Sequence, residues 1–372
     1  MSFKKQIRNI HKWLGLTSGL IVFIVSITGC IFCFQDEIKD ITREESRFVI
    51  NENQPYLPPS VLMEKASIAV PGSKCTTVVY VAPNRSAVVY TNSADGYKYV
   101  FINPYNGKAL FIEDPKTDFF IIVEYIHLYL LLPDYIGKHI VAGATIIFIF
   151  MLITGIIQWW PKRKSDIKRS FNVKWSAKWR RVNYDWHNVS GFYIAIIALI
   201  IAITGLVFAY DWVGDGIYYS GNLGKGDKEL ETQEPTIDST KYASITTIAV
   251  DKAMATTMQM NPKSPMFFVS IPEKKDQPVN TGAYQYTLRF DHQSNYHFHP
   301  SSGKLLKSEP YNKKSFGLQL NEMNYGIHTG QILNLPGKII AFTVSLIAAA
   351  LPVSGFIIWY GRRKKSKKTQ KQ

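Results

Sequence analysis

The chain alternates long apolar blocks with polar ones. Four apolar blocks contain no Asp, Glu, Lys or Arg: Trp13 to Phe34, Ile140 to Trp160, Val189 to Tyr210 and Ile339 to Tyr360. A helix needs about 20 apolar residues to cross the hydrocarbon core of a bilayer, so each block predicts a membrane span. Between the first and second spans, and again between the third and fourth, the period changes. Alternating runs at Thr76 to Val81, Ala87 to Thr91, Tyr97 to Ile102, Met266 to Ile271 and Tyr284 to Phe290 predict strands, with hairpin turns at Asn106-Gly107 and Ser302-Gly303. Pro59 to Val70 and Ser244 to Met258 predict one amphipathic helix per polar block. Thr117 to Leu132 predicts an apolar helix at the membrane interface, ended by Pro133.

The pattern is written twice. His11-x3-Gly15 followed by Thr28-Gly29 matches His187-x3-Gly191 followed by Thr204-Gly205 at identical spacings. Gly137-Lys138 stands 18 residues before Gly155, as Gly337-Lys338 stands 18 before Gly355. Asn103 to Lys108 matches His299 to Lys304, and His127 lies ten residues before Gly137 as His328 lies nine before Gly337. Two halves, 1 to 160 and 184 to 360, each read helix, polar domain, helix and start on the same side, so they are expected as parallel repeats about an axis along the membrane normal. The expected fold class is membrane α-helical: a four-helix transmembrane bundle built from two parallel repeats, with two external α+β domains. Its boundaries are 1–35 for the first span, 36–116 for the first external domain, 117–160 for the interfacial helix and second span, and 161–183 for a basic loop. The second half follows as 184–210 for the third span, 211–325 for the second external domain, 326–361 for the fourth span and 362–372 for a basic tail.

A net charge of +15 raises the question of nucleic acid, and the placement of the cations answers it. Residues 1–12 hold four Lys or Arg, 161–183 hold nine and 361–372 hold seven, with Asp166 the one acid among them. The rest of the chain has 23 cations against 27 acids. This is the positive-inside pattern. It puts both termini and the middle loop in the cytoplasm, puts the polar domains across the membrane, and gives the cations to topology and anionic lipid rather than to nucleic acid. Ile27-Thr28-Gly29-Cys30 resembles a lipoprotein cleavage site, but the apolar run before it is longer than a signal peptide's, and Thr-Gly recurs in two other spans. Cys30 and Cys33 share one face of the first helix and read as small apolar fillers.

The repeated histidines carry the chemistry. His11 and His187 fall at the cytoplasmic ends of spans one and three, His127 and His328 near the outer ends of spans two and four. A twofold axis faces the members of each pair across the bundle, and neutral imidazole is the usual axial ligand of haem iron. Two bis-histidine haems, one near each face, are therefore expected. The 17 residues from His11 to Thr28 rise about 25 Å, most of the bilayer core. Arg8, Lys12 and Arg181 inside, and Lys138 and Lys338 outside, stand where they could pair with propionates. Gly15, Gly19 and Gly191 would let a macrocycle or a neighbouring helix approach the backbone.

His139 rivals His127, although Ile339 aligns with it in the second half. His292, His297 and His299 cluster on an external strand, where 297 and 299 share a face and could touch a metal or substrate. No ionisable residue lies mid-span, which argues against a proton-coupled transporter. Phosphate-binding loops, zinc pairs and nucleophile motifs are lacking, and the cytoplasmic segments are too short for a flavin or nicotinamide domain. Electrons would come from a membrane quinol or from a reductase docked on the basic inner face.

His11-Lys12-Trp13-Leu14-Gly15, Asp185-Trp186-His187-Asn188 with Gly191, the Thr-Gly pairs and Trp159-Trp160-Pro161-Lys162-Arg163 together resemble the PepSY-associated transmembrane family over nearly the whole chain. The resemblance implies an iron-regulated bacterial inner-membrane protein whose external domains are PepSY units, small helix-plus-sheet modules. It also implies haem b held by His11, His187, His127 and His328, and an activity like that of ferric-siderophore reductases. The expected function is thus transfer of electrons across the membrane to a periplasmic ferric siderophore. A non-enzymatic PepSY-type binding protein is the alternative, and a permease for iron chelates a third.

Overall fold

The computed structural model describes residues 3–161, 163–238, 245–274 and 276–369, the last six by their backbone only. Lys162 of the basic loop and Ser244, the expected start of the second amphipathic helix, lie outside these residues. The chain divides into two compact units: a helical one made of the chain up to Phe34, Ile122–Val213 and the chain from Ile327, and a sheet unit made of Gln35–Ile121 and Gly214–Gly326.

Four helices in the helical unit are long and apolar enough to cross a membrane. They run Phe3–Cys33, Asp134–Trp159, Trp179–Val207 and Asn334–Thr369, and are called here the first to fourth spans. The first span packs against the second and fourth, and the third does the same, so the spans stand in a ring with first and third on one diagonal and second and fourth on the other. Small residues make the close approaches: Ser18, Ala142, Ala195, Ala198, Ala202 and Ala348 are buried. Leu20, Phe150, Ile196 and Phe356 are more than half exposed. A bundle whose small side chains face inward and whose large apolar ones face outward is built for lipid rather than water. At the end of the second span Trp159 stacks on Phe192 of the third at 3.6 Å, and its Nε1 donates to the Ser170 carbonyl at 2.9 Å, folding the connecting loop back onto the bundle.

The sheet unit has eight antiparallel strands: β1 (Lys74–Tyr80), β2 (Ala87–Ser93), β3 (Gly96–Ile102), β4 (Ala109–Glu113), β5 (Met266–Ser270), β6 (Val279–Tyr284), β7 (Gln293–Phe298) and β8 (Leu305–Glu309). Their order is β4-β3-β2-β1-β5-β6-β7-β8. Here the structure corrects the expectation of two separate domains. Each polar block does form a four-stranded meander, but Val78 pairs with Val269 and Tyr80 with Phe267, which joins the two meanders into one sheet. The reason lies at the seam. β1 and β5 are apolar strands that would each leave an open edge, and pairing them satisfies both ladders at once.

The helices Pro59–Ala69 and Thr247–Met260 lie on this sheet. Leu62, Ala66, Val250, Ala253 and Met254 are buried with Val78, Tyr80, Val89, Val100, Val269 and Phe298 in one core that draws on both halves of the chain. Ser60 donates its backbone N–H and its hydroxyl to the Asp251 carboxylate at 2.8 and 2.6 Å, tying the two helices together. The strand expected at Tyr284 to Phe290 is displaced: β6 ends at Tyr284, and the following turn carries Leu288 at φ 55° and His292 at φ 58°. Gly282 masked β6 in the pattern. It is glycine because the Phe268 ring of β5 occupies its side-chain space, 2.1 Å from where a Cβ would stand.

Charged clusters pin the unit. Asp40 takes Arg47 and Arg85, and buried Asp291 takes Arg289 and His292. Burial pushes both carboxyls up, but the hydrogen bonds and charges of Arg85 and Arg47, and of Arg289 and His292, outweigh it and hold both below the ordinary carboxylate value. A carboxyl whose folded pKa lies below its unfolded one contributes fully above the unfolded value, about 4, and that contribution is lost as pH falls through the folded value. Thermal melts of the detergent-solubilised chain are therefore expected to weaken progressively below about pH 4. Asp40→Asn should flatten that dependence, and a melting midpoint unchanged between neutral and strongly acid buffer would contradict it.

Candidate metal-ligating site

Each of the four repeated histidines meets a neighbouring span through the same local device. His127, on the helix Phe119–Tyr129, places Nδ1 2.9 Å from the Val25 carbonyl and 3.1 Å from Thr28 Oγ1 of the first span. His328, on the helix Asn324–Thr329, places Nδ1 2.9 Å from the Ile201 carbonyl and 3.2 Å from Thr204 Oγ1 of the third span. His11 of the first span meets Thr154 Oγ1 of the second at 2.9 Å, and His187 of the third meets Ser354 Oγ of the fourth at 2.8 Å. Directly after each hydroxyl residue stands a glycine against which the ring lies. A Cβ on Gly29, Gly155, Gly205 or Gly355 would come 3.3, 3.6, 3.0 or 3.3 Å from the Cε1 of His127, His11, His328 or His187. Among the described residues no hydrogen bond is made by Nε2 of any of the four.

The clamps gather the histidines into two layers. His127 and His328 come together, their ring centroids 6.1 Å apart and their planes at 67°. A metal–imidazole bond is about 2 Å long, so this separation suits one metal ion bound between two ring nitrogens. Phe208 closes on the same pair at 5.5 Å from His328. His11 and His187 belong to the diagonal first and third spans. Along the first span the layers are separated by the rise from His11 to Thr28, about 25 Å.

Two tight turns deliver the second layer to its place. A Cβ on Gly137 would stand 2.1 Å from the Tyr129 carbonyl oxygen, and one on Gly337 2.1 Å from that of Gly330. The chain thus doubles back within a few residues between each short histidine helix and the span that follows. Leu130 and Leu131 at φ 55° and 57°, and Gly330 at φ 79°, make the reversals in the left-handed region.

The other sequence candidates are placed elsewhere. His139 is exposed, bonds Tyr210 Oη through Nδ1 at 3.2 Å and stacks on that ring at 5.8 Å. His297 is buried between Asn280 at 2.7 Å and Glu309 at 3.4 Å. His299 Nδ1 accepts the backbone N–H groups of Ser301 and Ser302 and shapes the β7–β8 turn. His292 pairs with Asp291, and among the described residues no group of three or more His, Cys, Asp or Glu is placed to hold a metal ion. Of the expected propionate partners, Lys12 donates to Asn9 at 2.8 Å and lies over Trp13, while Arg181 pairs with Asp185 at 2.8 Å. Arg8 is exposed, Lys138 half-buried and Lys338 buried. Gly15, Gly19 and Gly191 receive Met151, Pro352 and Leu351, so these glycines serve contacts between spans.

Sequence reasoning missed the hydroxyls of Thr28, Thr154, Thr204 and Ser354 as histidine partners. The signal was a four-fold recurrence, Thr-Gly at 28–29, 154–155 and 204–205 and its homologue Ser-Gly at 354–355.

The PepSY-associated TM region model matches residues 8–362, nearly the whole chain. The protein belongs to that family and, with its four spans, is a multi-pass membrane protein in contact with the lipid bilayer. No curated protein matches its sequence.

Proposed function

We propose that the chain is a two-haem electron-transfer protein of the bacterial inner membrane that reduces a ferric chelate, such as a ferric siderophore, on the periplasmic side. One observation carries this reading: diagonal elements of the bundle bring His127 and His328 to 6.1 Å with Nδ1 committed and Nε2 uncommitted, and the same clamp recurs at His11 and His187. Paired imidazoles are the donor set of a six-coordinate haem b. The donors fit that group, and the glycines beside the rings keep the imidazole edges clear of side chains.

In this reading His127 and His328 would hold one haem and His11 and His187 the other, each through Nε2. Haem supplies reversible one-electron chemistry between ferric and ferrous iron, and nothing in the chain need take up the electron itself. The protein's residues bind and orient. Thr28, Thr154, Thr204 and Ser354 fix the rings, the apolar spans exclude water from the path between layers, and Arg8, Lys138 and Lys338 offer charge to propionates. The cationic segments 1–12, 161–183 and 361–372 support a reading with the termini and the middle loop in the cytoplasm and the sheet unit in the periplasm. A membrane quinol or a reductase bound to the basic face would donate the electrons. Reduction loosens the chelate, because hard oxygen ligands hold the ion of higher charge more tightly.

The test is a pyridine haemochrome assay with reduced-minus-oxidised spectra on the purified chain expressed with ample haem. Two haems b per chain are expected. A preparation that stays colourless and binds no added haem ends the proposal.

A further inference from the structure

The hydroxyl half of each clamp decides more than orientation. Thr28 Oγ1 lies 2.8 Å from the Ile24 carbonyl and Thr204 Oγ1 2.8 Å from that of Ile200; Thr154 bonds the Phe150 carbonyl at 2.8 Å and Ser354 the Leu351 carbonyl at 3.0 Å. Each hydroxyl proton is therefore already donated to its own helix, and the oxygen faces the imidazole as an acceptor. A carbonyl can only accept, so at His127 and His328 the bonds to Val25 and Ile201 require a proton on Nδ1 as well. All four rings meet the same demand. The proton sits on Nδ1, and the Nε2 lone pair is left bare.

We infer that Thr28, Thr154, Thr204 and Ser354 are positioning residues that lock the four imidazoles in the Nδ1–H tautomer and so offer Nε2, rather than Nδ1, to a metal centre. The glycine that follows each one sets how far the ring can lean. For the cofactor this rests on the function proposed above, but the tautomer is a property of the chain alone. An acceptor on Nδ1–H also makes the ring a more basic ligand, which favours ferric over ferrous iron. The two layers differ in one respect. His127 and His328 have a carbonyl at 2.9 Å in addition to the hydroxyl, whereas at His11 and His187 the carbonyls of Met151 and Leu351 only back up the hydroxyl, which is the closest partner. Loss of the hydroxyl should therefore be felt more at the His11–His187 layer.

The experiment uses the full chain with ¹⁵N-labelled histidine, purified without haem, and assigns ring signals with single His→Asn variants. The expected spectrum shows protonated Nδ1 and bare Nε2 for His11, His127, His187 and His328. Thr154→Val and Ser354→Ala should bring in the Nε2–H tautomer at His11 and His187 respectively, and Thr154→Ser and Ser354→Thr should restore the original. Thr28→Val and Thr204→Val should change their rings less. In haem-loaded protein, Thr154→Val and Ser354→Ala should weaken binding of one haem by about ten- to a hundredfold and raise the midpoint potential of that haem alone. Wild-type signals showing Nε2–H on these rings, or valine variants that leave tautomer and potential unmoved, would overturn the inference. A chain that shows the expected tautomers yet binds no haem upholds the positioning role and removes the electron-transfer function instead.

Discussion

Under the proposed two-haem reading, alanine at His127 or at His328 is expected to leave the chain with one haem instead of two. Either change should remove the same haem, halve the haemochrome yield and reduce ferric-chelate reduction to background, while the remaining absorption bands keep their shape. Geometry leaves no substitute for either ring. The two rings are 6.1 Å apart and come from segments leading into diagonal spans, so neither can be replaced by a neighbour. His139 is the internal control. Its Nδ1 is engaged with Tyr210 Oη and its ring stacks on that tyrosine, so His139→Ala should leave both haems in place. If His139→Ala instead removes a haem and His127→Ala does not, the second layer has been assigned to the wrong residue. His11→Ala and His187→Ala should produce the complementary loss.

Substitution of Asp118 by alanine should cost the sheet unit about 3–5 kcal/mol, the range found when one member of a buried ion pair is removed. The side chain is 1% exposed and meets Lys39 at 3.1 Å and Arg43 at 2.6 Å, and Glu113, 5% exposed, shares both cations. Asp118 also caps the helix that follows, its Oδ1 accepting the N–H groups of Phe120 and Ile121 at 3.0 and 3.1 Å. Alanine therefore leaves Lys39 partly unpaired in a place water does not reach and strips the cap in the same step. Asn, which can cap but not neutralise, should fall between wild type and alanine. Chemical denaturation of the purified chain, followed by far-ultraviolet circular dichroism and limited proteolysis, would register the order. Identical curves for wild type and alanine would mean that the cluster contributes nothing.

Much of this was legible in the linear pattern because the forces that fix it are local or duplicated. A span is an uninterrupted run of apolar side chains, so the four membrane helices could be read directly from the sequence. The two amphipathic helices fell where the apolar period placed them, and so did β1, β2, β3 and β5. What stayed hidden was partner choice. Nothing along Lys74–Tyr80 says that its free edge will find Met266–Ser270 rather than solvent, so one sheet was read as two domains. β6 was missed because Gly282 yields its space to Phe268, a relation visible only in three dimensions. All four clamps escaped because a hydroxyl and the histidine it meets lie on different helices, about 100 to 170 positions apart in the chain.

The seam between β1 and β5 bears on how the protein is made. Tyr80 pairs with Phe267, 187 positions later, so the ribosome releases the first strand of the seam long before its mate exists. During that interval two more hydrophobic helices must enter the bilayer, and an apolar ladder with unmet N–H and C=O groups waits for its partner. Such late, distant closure is slow and invites pairing with strangers. Biogenesis of this chain should accordingly depend on holding factors in the compartment where the sheet assembles, and separately expressed halves should meet only if both reach that compartment together.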